Sequence, residues 1–159
     1  MKKLPIEVKW ALIISLADLI WTLVERFLGW HSTNIENHEN LQMYFLIPLL
    51  VLLYFALREK RLIDWDDNMT WMEGLRSGFV IAILVTLFTP IVDWLSYNVI
   101  SPDYFENLIN DRISRGYVDD FEEGLEEYGY SRYTIFSSIG HFFSTLMLSA
   151  VASLFAKRT

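Results

Sequence analysis

The apolar residues of this chain are gathered into four long runs, Val8–Gly29, Leu41–Leu57, Gly78–Ile100 and Ile135–Ala156, separated by segments that hold most of the charge. A helix needs roughly 20 mostly apolar residues to cross a hydrocarbon core of about 30 Å, so the pattern predicts four transmembrane helices. The second run is short but nearly pure, LQMYFLIPLLVLLYFAL, and its Pro48 predicts a kink that neighbouring helices must accommodate. The first run is not a cleaved leader: it carries Asp18, Glu25 and Arg26, is too long, and lacks a small-residue cleavage site. The expectation is one all-α domain over residues 1–159, a membrane four-helix bundle.

The segment 101–134 is patterned as well. Ser101 followed by Pro102 reads as a cap and first helical position, after which Tyr104, Phe105, Leu108, Ile109 and Ile113 recur on one helical face. Gly116 breaks the run. Val118, Phe121, Leu125 and Tyr128 then follow at helical spacing up to a stop at Gly129, which gives two short amphipathic helices. Their polar faces are acidic, with Asp103, Glu106, Asp111, Asp119, Asp120, Glu122, Glu123, Glu126 and Glu127. Anionic lipid repels such a surface, so the two helices are expected to pack over one mouth of the bundle. The group Asp119, Asp120, Glu122, Glu123, Glu126 and Glu127 is either a solvated cap or a docking surface for a basic partner or cation. The link 58–77 reads as a polar turn leading to a helix at Thr70. Its Asp64-Trp65-Asp66-Asp67 run lacks supporting ligands at set spacing and is read as solvated surface.

Inside the apolar runs the polar residues form stripes. At 100° per residue, Ala11, Ser15, Asp18, Thr22, Glu25 and Gly29 share one face, as do Gly78, Ala82, Thr86, Thr89, Asp93 and Ser96, and Ser138, His141, Thr145, Ser149, Ala152 and Ala156. Small residues let backbones approach, so the first, third and fourth runs should form the interior, with Gly74, Gly78 and Ala82 extending the contact. The second run has no stripe and is expected to face lipid.

Depth places the ionisable groups together. With about 1.5 Å of rise per residue, Glu25, Asp93 and His141 lie roughly 22 to 26 Å from the basic boundary, Asp18 lies at about 15 Å, and Arg26 is near enough to join. A buried ionisable group costs at least about 2.5 kcal/mol on insertion scales, so such groups need a partner or a task. In one account Asp18, Glu25, Arg26, Asp93 and His141 form a hydrogen-bonded network that sets helix register. In the other they are a proton or cation site. A metal-dependent hydrolase built on His31, His38 and His141 is disfavoured, because His31 and His38 fall in a polar loop without metal-ligand spacing. No metal ligand and no cofactor is assigned.

Charge adds orientation and exclusions. Lys2, Lys3, Lys9, Arg58, Lys60, Arg61, Arg76, Lys157 and Arg158 collect on one side, against Arg26, Arg112, Arg115 and Arg132 on the other, which puts both termini in the cytoplasm. The net charge of -7 weighs against nucleic acid as a partner, and none is expected. The absence of cysteine excludes disulfides and thiolate metal sites. No GxSxG, Walker-type loop, HExxH or dinucleotide fingerprint occurs, so an enzyme is not expected. Four spans without an internal repeat leave little room for the usual secondary transporter, though association of several copies could supply what one chain lacks.

The order of four spans, the glycine-led third span after Trp71-Met72-Glu73-Gly74-Leu75-Arg76-Ser77-Gly78, the Ser101-Pro102-Asp103-Tyr104 step, and an acidic helical insert before a final small-residue span ending in Lys157-Arg158 resemble the bacterial membrane proteins grouped as domain of unknown function 4199. The resemblance covers most of the chain. It implies an inner-membrane protein of a Gram-negative bacterium and carries no activity or catalytic residue with it. The reading is a structural or partner-binding membrane component, with the lipid bilayer and a membrane or periplasmic protein as partners; the alternative is a proton- or cation-responsive channel, transporter or sensor.

Overall fold

A computed structural model describes residues 4–158, with the backbone alone at position 39; Lys2 and Lys3 lie outside the described residues. The described chain is all-α. Helices α1 (Ile6–Phe27), α2 (His38–Gln42), α3 (Leu46–Asp64), α4 (Trp71–Leu95), α5 (Tyr104–Ser114), α6 (Phe121–Tyr128) and α7 (Tyr130–Ala156) follow one another without a strand among the described residues. Three helical stretches, Asn40–Asp64, Trp71–Ile100 and Phe121–Ala156, are long and apolar enough to cross a membrane. At 22 residues α1 is also of spanning length, but any such stretch within it includes charges drawn from Glu7, Lys9, Asp18, Glu25 and Arg26.

The four long helices pack side by side. α4 lies chiefly against α7, then against α1; α3 closes the far side by packing on α7. The α4–α7 seam is the closest, because Gly74 and Gly78 oppose Ser153 and Ser149 with no room for a side chain between them. Ala11, Ser15, Thr22 and Glu25 of α1 and Thr145, Ser149, Ala152 and Ala156 of α7 are buried along the stripes anticipated for them.

The second run, expected largely to face lipid, is buried along one face. Leu49, Leu53, Ala56 and Leu57 of α3 are fully buried in the main apolar core, beside Ile14, Ile81 and Val85. The most apolar stretch of α3 is buried to the same extent as that of the last helix, 28% in both. A polar stripe marks one kind of helix contact; an apolar seam packs equally well and leaves no mark against an apolar background. Pro48 acts where expected. It removes the donor that would bond to Tyr44, and the chain runs as a 3-10 turn over Met43–Phe45 before α3 proceeds.

The end that carries both described chain ends is tied by charge. Lys9 and the indole of Trp10 bond to Glu59 at 2.5 and 2.8 Å, and Lys60 bridges Glu7 and Asp64 at 2.7 and 2.5 Å. Burial alone would raise the Glu7 carboxyl, but hydrogen bonds from Lys60 and Ser77 together hold it below the usual range. Arg61 donates to the carbonyl of Ala156 at 2.5 Å and pairs with Asp67 at 2.8 Å. Asp67, read as solvated surface, therefore has ion-pair partners in Arg61 and Arg158. Thr70 caps α4 through a capping box with Glu73.

At the opposite end α4 ends in a π-turn, Ser96–Ile100, after which Asp103, not Ser101, stands at the start of α5. Ser101 is turned inward, 6% exposed. α5 buries Tyr104, Leu108 and Ile109 as its periodicity requires. α6 does not present the face anticipated for it: Gly124 is the buried residue, against Ile109, while Phe121 and Leu125 are 40% and 46% exposed. A glycine lets α6 approach α5 closely, and that proximity outweighs the larger apolar side chains in setting which face turns in. Gly129 ends α6 and also begins α7, so the last helix starts five residues earlier than the apolar run does.

Candidate functional site

Toward the acidic end the helices part around a cavity of about 440 Å³. α1 contributes Asp18, Trp21, Thr22 and Glu25; α4 and its π-turn contribute Asp93, Ser96 and Tyr97; α7 contributes Tyr133, Phe136, Ser137, Gly140, His141 and Ser144. Phe45, Leu46 and Leu49 close the fourth side. Asp18, Thr22 and Glu25 reach the same space because four- and three-residue steps return to one helix face. Met43, Phe136 and Gly140 are exposed on the outside of the molecule and also line the cavity, so it opens between the start of α3 and α7.

Three of the five ionisable residues singled out in the sequence meet on this wall. Asp18 Oδ2 lies 3.3 Å from His141 Nε2, across the space between helices that otherwise have few contacts. Asp93 is 4% exposed; Ser137 donates to its Oδ1 at 3.4 Å, and the Thr134 hydroxyl is a second hydrogen-bonding neighbour of the carboxylate. Thr22 Oγ1 and Ser96 Oγ, 3.1 Å apart, pin α1 to the π-turn just above. Water takes about 30 Å³ in the liquid, so the cavity has room for several molecules around these groups.

Glu25 borders the same cavity but belongs to a different set. Its Oε1 accepts from the indole of Trp21 at 2.8 Å, and its Oε2 faces His31 Nε2 at 3.3 Å and His38 Nε2 at 3.4 Å. Each imidazole is held from behind: His31 Nδ1 lies 2.9 Å from Ser101 Oγ, and His38 Nδ1 lies 3.0 Å from the hydroxyl of Tyr104. Asn107 also donates to the carbonyl of His31 at 3.0 Å. Burial pushes the His31 imidazole below its usual range, against the opposing pull of the Glu25 hydrogen bond. Tyr97 packs edge to face on Tyr133 and tilted against Tyr104 and Phe105 beside this group, and the Tyr97 and Tyr133 hydroxyls meet at 2.7 Å.

Two expectations change here. His31 and His38 are not solvated: they are 2% and 1% exposed, and they join Glu25 rather than His141. Arg26 does not enter either set and is exposed, since one step along α1 from Glu25 turns its side chain outward by 100°. The signal for the histidines was available in part. The chain has 3 His, and two of them fall within 13 residues of a carboxylate on the polar stripe of α1. Ser101 and Tyr104 gave no such signal, because only the π-turn brings them under the histidine rings.

The acidic residues Asp119, Asp120, Glu122, Glu123, Glu126 and Glu127 are all exposed. Part of their charge is spent locally. Asp120 accepts from the Glu123 amide at 2.9 Å and Glu123 from the Asp119 amide at 2.6 Å, and Glu127 pairs with Arg132 at 3.0 Å.

No curated protein and no solved structure matches the chain. A family described as "Protein of unknown function (DUF4199)" matches residues 9–158, which takes in all four long helices nearly whole together with both sets of buried ionisable groups. On that match the chain belongs to the DUF4199 family.

Proposed function

We propose that this protein is a four-helix membrane protein whose cavity takes up protons or small cations at Asp18, Asp93 and His141. The observation that carries the reading is the convergence of Asp18, Asp93 and His141, from three different helices, on the wall of one cavity. Charge counting supports the same conclusion. Two carboxylates share the wall with one imidazole, and Arg26 is turned away, so even with His141 protonated the set stays negative until a proton or cation joins it.

The membrane reading completes this proposal. In it α1 is the fourth crossing, with Asp18 and Glu25 resting on the cavity wall rather than in lipid, both termini lie in the cytoplasm of a bacterial cell, and the acidic α5–α6 cap faces outward from the inner membrane. The concentration of Lys9, Arg58, Lys60, Arg61, Arg76, Lys157 and Arg158 at one end is what supports the orientation. Because the chain has 0 Cys, single cysteines placed at Asp120 and Lys157 can be labelled with an impermeant thiol reagent in intact spheroplasts. Labelling at 120 alone is expected; labelling at 157 alone would reverse the orientation.

The decisive experiment is ion flux in sealed proteoliposomes under an imposed proton or monovalent-cation gradient. The unaltered protein should conduct, and Asp93→Asn and His141→Gln variants of preserved helicity should lose most of the flux. Flux absent from the folded, unaltered protein overturns the reading, as does flux unaffected by either substitution.

A further inference from the structure

We infer that Glu25, His31 and His38 form a binding site for a first-row divalent metal ion, of which Zn²⁺ is the type. Two imidazole nitrogens face one carboxylate oxygen, and the three ligand atoms lie within 4.8 Å of one another. The separations fit ligands that share one ion. A charge-assisted N–H···O contact settles at about 2.7–2.9 Å. Two ligands on one tetrahedral ion, with bonds of about 2.0–2.2 Å, stand roughly 3.3–3.5 Å apart. The Nε2–Oε2 distances here are 3.3 and 3.4 Å.

The surroundings are those of a metal site. Every ligand has its other polar atom held: His31 by Ser101, His38 by Tyr104, and Glu25 by Trp21. Such outer contacts orient imidazoles for a metal and fix which nitrogen is bare. Serine and tyrosine hydroxyls both donate and accept, so they can receive Nδ1–H when Nε2 gives its lone pair to an ion. The set is two nitrogens and one carboxylate oxygen, which suits zinc and its neighbours rather than Mg²⁺ or Ca²⁺. Three protein ligands leave a fourth position for water or a small anion.

The site has a structural consequence. Glu25 ends α1, His31 belongs to the following loop, His38 starts α2, and Ser101 and Tyr104 flank the start of α5. An ion bound there fastens the capping helix α5 to α1 at the outer end of the cavity, a function independent of any flux through Asp93.

Protein purified with a chelator and then freed of it should bind one equivalent of Co²⁺, giving the visible absorption of a low-symmetry four- or five-coordinate ion that Zn²⁺ abolishes. Zn²⁺ should also raise the unfolding temperature. His31→Gln and His38→Gln should each weaken binding at least tenfold. Asp93→Asn and Asp18→Asn should leave it within twofold, so loss of flux and loss of metal are separable results. Should the histidine variants fail to fold, X-ray absorption of Zn²⁺ in the unaltered protein decides. Two imidazoles in the first shell are expected, whereas one imidazole would place the ion at His141 and overturn the assignment. No saturable Co²⁺ band in folded, unaltered protein overturns it too.

Discussion

Gly78→Ala tests the packing on which the cavity depends. A methyl group at Gly78 would stand 2.3 Å from Ser149 Cβ, 2.5 Å from its Oγ and 3.6 Å from its Cα. Carbon atoms rest about 3.5–4.0 Å apart, so the overlap with Ser149 Cβ exceeds about 1 Å. A change of rotamer moves Oγ but leaves Cβ in place, so α7 itself has to retreat. Overpacking of this kind costs about 1–3 kcal/mol, and alanine recovers up to about 1 kcal/mol over glycine in a helix interior. The retreat also opens the neighbouring contact of Gly74 with Ser153, which places the net loss at about 1–2 kcal/mol. Reversible unfolding in mixed detergent micelles, followed by helicity, measures it. Adding Ser149→Gly should return most of the loss in a double-mutant cycle, since that change removes the clashing atoms. A Gly78→Ala protein as stable as the unaltered one, or a cycle with no coupling, refutes the close seam. The same seam positions Asp93 against Ser137, so this variant should also reduce flux.

Three further outcomes follow from the geometry. Because burial depresses the His31 imidazole, the unfolded chain binds a proton first as pH falls; its contribution to stability is whole above about pH 6.5 and lost below it, and His31→Gln in chelator should flatten that part of the curve. The depressed Glu7 carboxyl acts the same way in a lower window, below about pH 4.5, so Glu7→Gln should leave the His31 region unchanged and flatten only the acid limb. Gly124→Ala should cost less than Gly78→Ala, under about 1 kcal/mol, because the atom it meets at 2.4 Å is the Cγ2 tip of Ile109, which can rotate aside; equal losses in thermal unfolding at the two sites would show that the α5–α6 contact is as rigid as the α4–α7 seam.

The sequence by itself determined the long helices and the polar stripes of α1 and α7. Each of these follows from composition and a 100° repeat, which are local properties of a chain in an apolar setting. The stop at Gly129 was legible from the same local pattern. Tertiary structure decided the rest. Whether α3 packs or faces lipid depends on how its leucines fit α7, and periodicity is silent where every residue is apolar. Glu25 parts from Arg26 and finds His31 and His38 because the chain reverses direction after α1 and the π-turn lowers Ser101 and Tyr104 onto the rings. Those contacts join residues 66 to 70 positions apart, and no local pattern encodes a meeting at that separation.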